Sequence, residues 1–209
     1  MTNPTVKTRM KSGERRDAII AAAVRLFSEK GFRGATTREL AAALDVTEPV
    51  IYQHFETKRD LYRAIIESKA RERRQDNEHW QEMENPRGDR EFFGGVVRLL
   101  LQRVERDPSY LRLLLFSALE GHELADLFFE RDAVEIYEKV TDYIRKRVED
   151  GSFREDVAPK IAARGLVAMA VHHATVQELF RDTVVTESRE DYAAGVVEIF
   201  LAGIRRPAE

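Results

Sequence analysis

The chain contains no cysteine. That excludes a disulfide framework, a Cys-ligated zinc or iron–sulfur site and a cysteine nucleophile. Long apolar runs are missing too. The longest, Ala18 to Val24 and Gly165 to Val171, span seven residues, whereas a spanning helix needs about 18 or more. No membrane segment is therefore expected. No apolar stretch follows the basic residues near Met1, so no secretory signal is expected and the expected location is the cytoplasm. The sequence has no G-x-S-x-G, G-x-G-x-x-G or Walker A pattern. Gly121-His122-Glu123 opens like a zinc protease helix, but Asp126 stands where H-E-x-x-H needs its second histidine. Neither catalysis nor a cofactor is expected.

What is present is helical. Six prolines and eleven glycines punctuate 209 residues, and no stretch alternates with period two between turn residues. The pattern predicts an all-α protein of about nine helices. Ile19, Ile20, Ala23, Val24 and Phe27 line one face of a first helix, over about 13–30. Gly31 follows as its stop, and Phe32 is placed to pack back on Phe27. Thr36 and Glu39 form a capping box for a second helix ending near Leu44. Thr47 is the N-cap candidate of a short third helix through about His54. Thr57 and Asp60 cap a fourth, reaching about residue 85. Longer helices follow over about 90–106, 108–121, 123–150, 156–181 and 188–206.

The net charge of −3 gives no sign of a nucleic-acid binder, but it is unevenly spread. Residues 1–62 carry 11 Lys and Arg against 8 Asp and Glu; the rest carry 23 against 29. A basic arm over 1–12 suits polyphosphate. The spacing over 36–55 adds a reason. Two short helices joined by a tight turn must cross closely, and Ala41 is small enough for the contact. Asp45 sits where the turn needs a left-handed residue. Leu40, Leu44, Val46, Ile51 and Phe55 can form the core between them. Thr47, Glu48, Pro49, Val50, Gln53 and His54 then face outward, with side chains able to reach base edges.

The whole stretch AIIAAAVRLFSEKGFRGATTRELAAALDVTEPVIYQHFETKRDLY resembles the N-terminal domain of TetR-family (tetracycline-repressor-like) transcriptional regulators, over residues 13–73. The resemblance implies a three-helix helix–turn–helix head, followed by an effector-binding and dimerisation domain over 74–209. It implies that Thr37 and Arg38 touch phosphate, Arg38 also near a base. Thr47, Tyr52, His54 and Lys58 would grip the backbone of double-stranded operator DNA. Glu48, Pro49, Val50 and Gln53 would occupy the specificity positions. Asp45 replaces the usual glycine of the turn, and Glu48-Pro49 a common basic-glycine pair. An acidic Glu48 cannot bind phosphate but can accept from cytosine N4.

The same resemblance implies a homodimer through helices eight and nine, and a small-molecule pocket among the later helices. Candidate lining residues are Trp80, Phe92, Phe93, Tyr110, Phe116, Glu120, His122, Tyr137, Met169, His172 and His173. Aromatic residues at helical spacing also serve as core. Adjacent helical residues point about 100° apart, so His172 and His173 are not expected to share a metal. The expected mechanism is a repressor released by its ligand through a shift of helix four. The alternative is a ligand-independent activator or architectural DNA-binding protein on the same helix–turn–helix.

Overall fold

The computed structural model describes residues 12–74, 83, 86–121, 134–180 and 187–206. Nine helices lie among these residues. They are α1 (Ser12–Gly34), α2 (Thr37–Ala43), α3 (Glu48–Tyr52), α4 (Lys58–Arg74), α5 (Asp89–Arg106), α6 (Pro108–Leu119), α7 (Val134–Glu149), α8 (Pro159–Phe180) and α9 (Arg189–Ile204). The later parts of the expected fourth helix and the start of the seventh fall outside the described residues.

Local chemistry sets the ends of the first four helices. In α1 the helical path breaks at Gly31, whose φ of 73° is open to glycine and costly for most residues. The chain then counts as helical to Gly34, four residues beyond the expected end. Phe32 stacks on Phe27 at 6.2 Å, and Tyr62 of α4 closes the aromatic cluster at 5.4 and 5.3 Å. The capping box of α2 is complete. Glu39 N donates to Thr36 Oγ1 at 3.1 Å, and Thr36 N donates to Glu39 Oε2 at 3.0 Å. The Thr57–Asp60 pair repeats that geometry ahead of α4, at 3.1 Å in both directions. Thr47 stands at the N-cap of α3, but its hydroxyl makes no capping bond. Helical hydrogen bonding continues past Tyr52, with Phe55 N donating to Ile51 O at 3.1 Å. The short bounds of α3 are thus a matter of where a frayed end is counted.

The buried residues form two clusters. One joins α1–α4 and includes Ile19, Phe27, Leu40, Ile51, Phe55, Leu61 and Tyr62. It also includes Tyr110 and Leu113 of α6, so the first core is completed by a helix from the second half of the chain. Tyr62 carries this across by donating its hydroxyl to Leu113 O at 3.2 Å, and burial pushes its pKa up to about 12. The other cluster joins α5, α7, α8 and α9 around Phe92, Phe93, Phe153 and Phe200. A buried carboxylate closes one end of it. Asp89, 7% exposed, accepts from Tyr143 Oη at 3.0 Å, Arg147 Nε at 2.9 Å and Arg205 Nη2 at 3.2 Å.

Candidate nucleic-acid interface

The turn between α2 and α3 is built on one left-handed residue. Asp45 has φ 52°, which its short polar side chain tolerates. Val46 N then donates to Ala41 O at 3.0 Å, drawing the two helices together at the alanine. Leu40, Ala41 and Ile51 are buried beneath. Buried apolar residues on the inner side leave the other faces of α2 and α3 to solvent.

Arg38, Thr47, Pro49, Tyr52 and Gln53 are exposed. Thr37, Glu48, Val50 and His54 are half-buried. Glu48 is engaged within the protein, accepting from Thr37 Oγ1 at 3.1 Å. The same hydroxyl lies 3.3 Å from Tyr52 Oη. A threonine, a tyrosine and a glutamate therefore form one polar chain across α2 and α3. Glu48 holds Thr37 directly and Tyr52 only through it, both side chains expected at the DNA backbone.

Without DNA present, Lys58 is engaged within the protein. The resemblance places it among the residues that grip phosphate. In the structure its ammonium turns inward and donates to Phe32 O. It lies over the Phe32 ring at 4.5 Å and the Phe27 ring at 5.6 Å. Burial lowers its pKa, against the opposing pull of Glu120 and Glu39. Reaching a phosphate would break this hydrogen bond and both cation–π contacts. In this conformation Lys58 braces the head from inside.

Other charges tune the head's rigidity. Lys30 pairs with Glu39 at 2.6 Å, and with the Thr36 cap this holds the Glu39 carboxyl down to about 2. Arg16 lies 4.9 Å above the Phe55 ring, which ties the start of α1 to the end of the α3 turn. Lys69, 14% exposed on its side chain, joins Glu72 at 2.8 Å and Asp107 at 2.7 Å. It thereby anchors α4 to the α5–α6 corner. Sequence reasoning misses the Lys69–Asp107 pair; the partners are far apart in the chain and no local pattern links them.

The candidate pocket residues are dispersed. Phe92 and Phe93 are wholly buried, with Tyr143 stacked on Phe92 at 3.8 Å and Phe200 edge-on to Phe93 at 5.0 Å. Both belong to the second core cluster. Tyr110 belongs to the head-side core and also lines a cleft of about 160 Å³ with Lys69 and Arg103. Phe116 faces Gly31 of α1, and Glu120 bonds to the backbone just after it. Neither points into a described cleft. Tyr137 and Met169 pack against the second core. His172 is exposed, whereas His173 stacks on Tyr192 at 3.7 Å and lines a cleft of about 330 Å³ with Gln177 and Glu178. Trp80 and His122 lie outside the described residues. Among the described residues no group of His, Asp or Glu is arranged to hold a metal, and no helix is long and apolar enough to cross a membrane.

Comparison with known proteins agrees with this arrangement. Residues 19–65 match the family model of bacterial regulatory proteins, tetR family. Residues 96–203, more than half of the chain, match the C-terminal domain of AefR-like transcriptional repressors. The nucleoid occlusion factor SlmA of Marinobacter nauticus is 28% identical over 181 residues, covering 85% of this chain and 90% of that protein. The class G tetracycline repressor protein of Vibrio anguillarum is 41% identical over 68 residues, 30% of this chain and 32% of that one. The structure of AibR in complex with isovaleryl coenzyme A and operator DNA shares the fold. Its TM-score is 0.67 at 21% identity, over 89% of this chain and 97% of that one. With its helix–turn–helix, its helical second half and both family models in agreement, the chain belongs to the TetR family of DNA-binding transcriptional regulators.

Proposed function

We propose that this protein is a repressor that binds a palindromic operator as a homodimer and leaves it when a small molecule binds. The observation that carries the reading is the α2–α3 unit, which presents Arg38, Thr47, Pro49 and Gln53 to solvent on a rigid core. One such reading unit buries little surface, and two half-sites on a duplex supply the missing affinity and specificity. Residues 13–73 are the DNA-binding head, with 36–55 its helix–turn–helix, and 74–209 the effector and dimer domain. The protein acts on DNA in the cytoplasm and catalyses no reaction.

The dimer forms through α8 and α9. Ile161 and Phe180 of α8 and Ile199 of α9 are 73%, 74% and 69% exposed, apolar surface on the two helices that a second copy would cover. Ligand binding in the second half shifts α4, and the separation of the two heads changes with it. The link is physical: Lys69 ties α4 to Asp107, and Tyr110 and Leu113 of α6 lie in the head's core. Only a ligand that prefers one of the two states can shift their balance. Support for repression comes from the match to AefR-like repressors. Support for a ligand comes from AibR, a protein of the same fold whose complex holds both isovaleryl coenzyme A and operator DNA.

The test is footprinting of purified protein on the DNA flanking its own coding sequence, followed by a metabolite panel. A protected palindrome that one compound releases supports the reading; no protected sequence ends it. A second reading has its own observation. The match to a nucleoid occlusion factor runs along most of the chain. A ligand-independent DNA-binding protein would give the footprint and keep it through the whole panel.

A further inference from the structure

The C-terminal end of α6 is fastened to the corner where α1 leaves its helical path. Glu120, which closes α6, accepts from Phe32 N at 3.1 Å and from Arg33 N at 3.1 Å, one bond to each carboxylate oxygen. Arg33 Nη2 donates back to Glu120 O at 3.1 Å. This seat exists because residue 31 is a glycine. A Cβ there would stand 2.5 Å from Glu120 Oε1 and 2.9 Å from Phe116 Cδ1. Lys58, the first residue of α4, braces the same corner from the other side through Phe32 O. One carboxylate from α6 thus holds the end of α1 and stands beside the start of α4. Those are the two helices that flank α2 and α3. The far side of α6 is tied into the second half of the chain, where Arg112 pairs with Glu178 of α8 at 2.6 Å.

The contact is partly exposed, so screening keeps its share of folding stability small. Its geometry is nonetheless restrictive. Two N–H donors on the two oxygens of one carboxylate set both the position and the rotation of the joined parts. A purely apolar contact can slide; this one cannot without losing a bond.

We propose that Glu120 is a positioning residue that sets the orientation of the DNA-reading head against the C-terminal body, acting through the backbone of Phe32 and Arg33 on the seat that Gly31 leaves open. A shift at the end of α6 is delivered to the head here, at the α1–α2 corner as well as along α4. Its consequence for DNA rests on the regulator reading above; the positioning itself does not.

The test exploits the absence of cysteine. Glu56→Cys and Glu138→Cys place spin labels at exposed sites on the head and on α7 of the full chain. Labelled protein is diluted into an excess of unlabelled chain, and the head-to-body distance is read by pulsed electron paramagnetic resonance. The parent gives one narrow distance. Glu120→Gln, nearly isosteric but with an amide facing a donor, broadens it, and Gly31→Ala does so from the other side. The double variant adds little to either, because both remove one joint. Asp89→Asn, which weakens the body elsewhere, leaves the distance narrow. An unchanged distribution in Glu120→Gln and Gly31→Ala overturns the proposal, and so does equal broadening in Asp89→Asn. On flanking DNA that the parent protects, Glu120→Gln changes affinity on the order of tenfold. Broadening in a protein whose parent protects no DNA leaves the positioning role standing and removes the regulator reading.

Discussion

Replacing Asp89 by alanine removes the acceptor on which three helices converge. Asp89 opens α5, Tyr143 and Arg147 come from α7, and Arg205 follows α9. The carboxylate is 7% exposed, whereas the Arg147 and Arg205 side chains are 33% and 42% exposed. Breaking a fully buried pair costs about 3–5 kcal/mol. Here water can reach both guanidinium groups once the carboxylate is gone, which lowers that figure. Against this, Tyr143 loses a hydrogen bond in a half-buried site, and the start of α5 loses a favourable charge, worth roughly 0.3–1 kcal/mol. The expected destabilisation is about 3 kcal/mol for Asp89→Ala and about 2 kcal/mol for Asp89→Asn, which keeps the shape and one acceptor. For a chain of this size, 3 kcal/mol lowers Tm by roughly 6–12 °C. The assay is urea and thermal unfolding followed by circular dichroism, at one fixed protein concentration because association shifts the midpoint. DNA affinity per folded protein should stay at the parent value, since the hub lies in the core away from the head. A loss below about 0.5 kcal/mol, the size of an ordinary surface substitution, would refute the account of Asp89 as the weld of this end.

Three further outcomes follow from the head. Glu39 is held down to about 2 from an unfolded value of 4.5, so its stabilising contribution is complete above 4.5 and is lost as pH falls toward 2. Acid unfolding should therefore start at higher pH in parent than the core alone would give, and Glu39→Gln should flatten that dependence; an unaltered acid limb would contradict it. Lys58→Met should lower stability by about 1–2 kcal/mol through the lost hydrogen bond and ring contacts. It should leave the salt slope of DNA binding intact, whereas Arg38→Ala should reduce that slope by about one. A slope change in Lys58→Met would restore its phosphate role. Gln53→Ala should relax base preference in a binding-site selection while Tyr52→Phe weakens binding to all sequences alike; the reverse pattern would exchange their assignments.

The parts of the head that rest on neighbours in the chain were legible from the residues. The capping boxes at Thr36–Glu39 and Thr57–Asp60, the left-handed turn at Asp45, the stop at Gly31 and the Phe27–Phe32 contact each join residues a few positions apart. Their geometry follows from local hydrogen bonding and steric rules. Thr47 shows the limit of such rules: the residue type and place suit a cap, yet its hydroxyl makes none. The pocket candidates were legible only as residue types. Periodicity cannot tell a buried wall from a buried core, and Phe92 and Phe93 proved to be core.

By itself the sequence determined that the chain is all-helical, that its first third carries a helix–turn–helix and that the net charge there is positive while the rest is negative. Each of these follows from periodicity, capping and composition, which act over a few residues. Only the tertiary structure decided where the long-range partners go. Lys58 turns inward to Phe32 across 26 positions, and Glu120 crosses 88 positions to hold the end of α1. Tyr110 and Leu113 leave their own half of the chain to complete the head's core. These outcomes depend on how whole helices pack, because a side chain's partner is chosen by the surface brought against it and not by its neighbours along the chain.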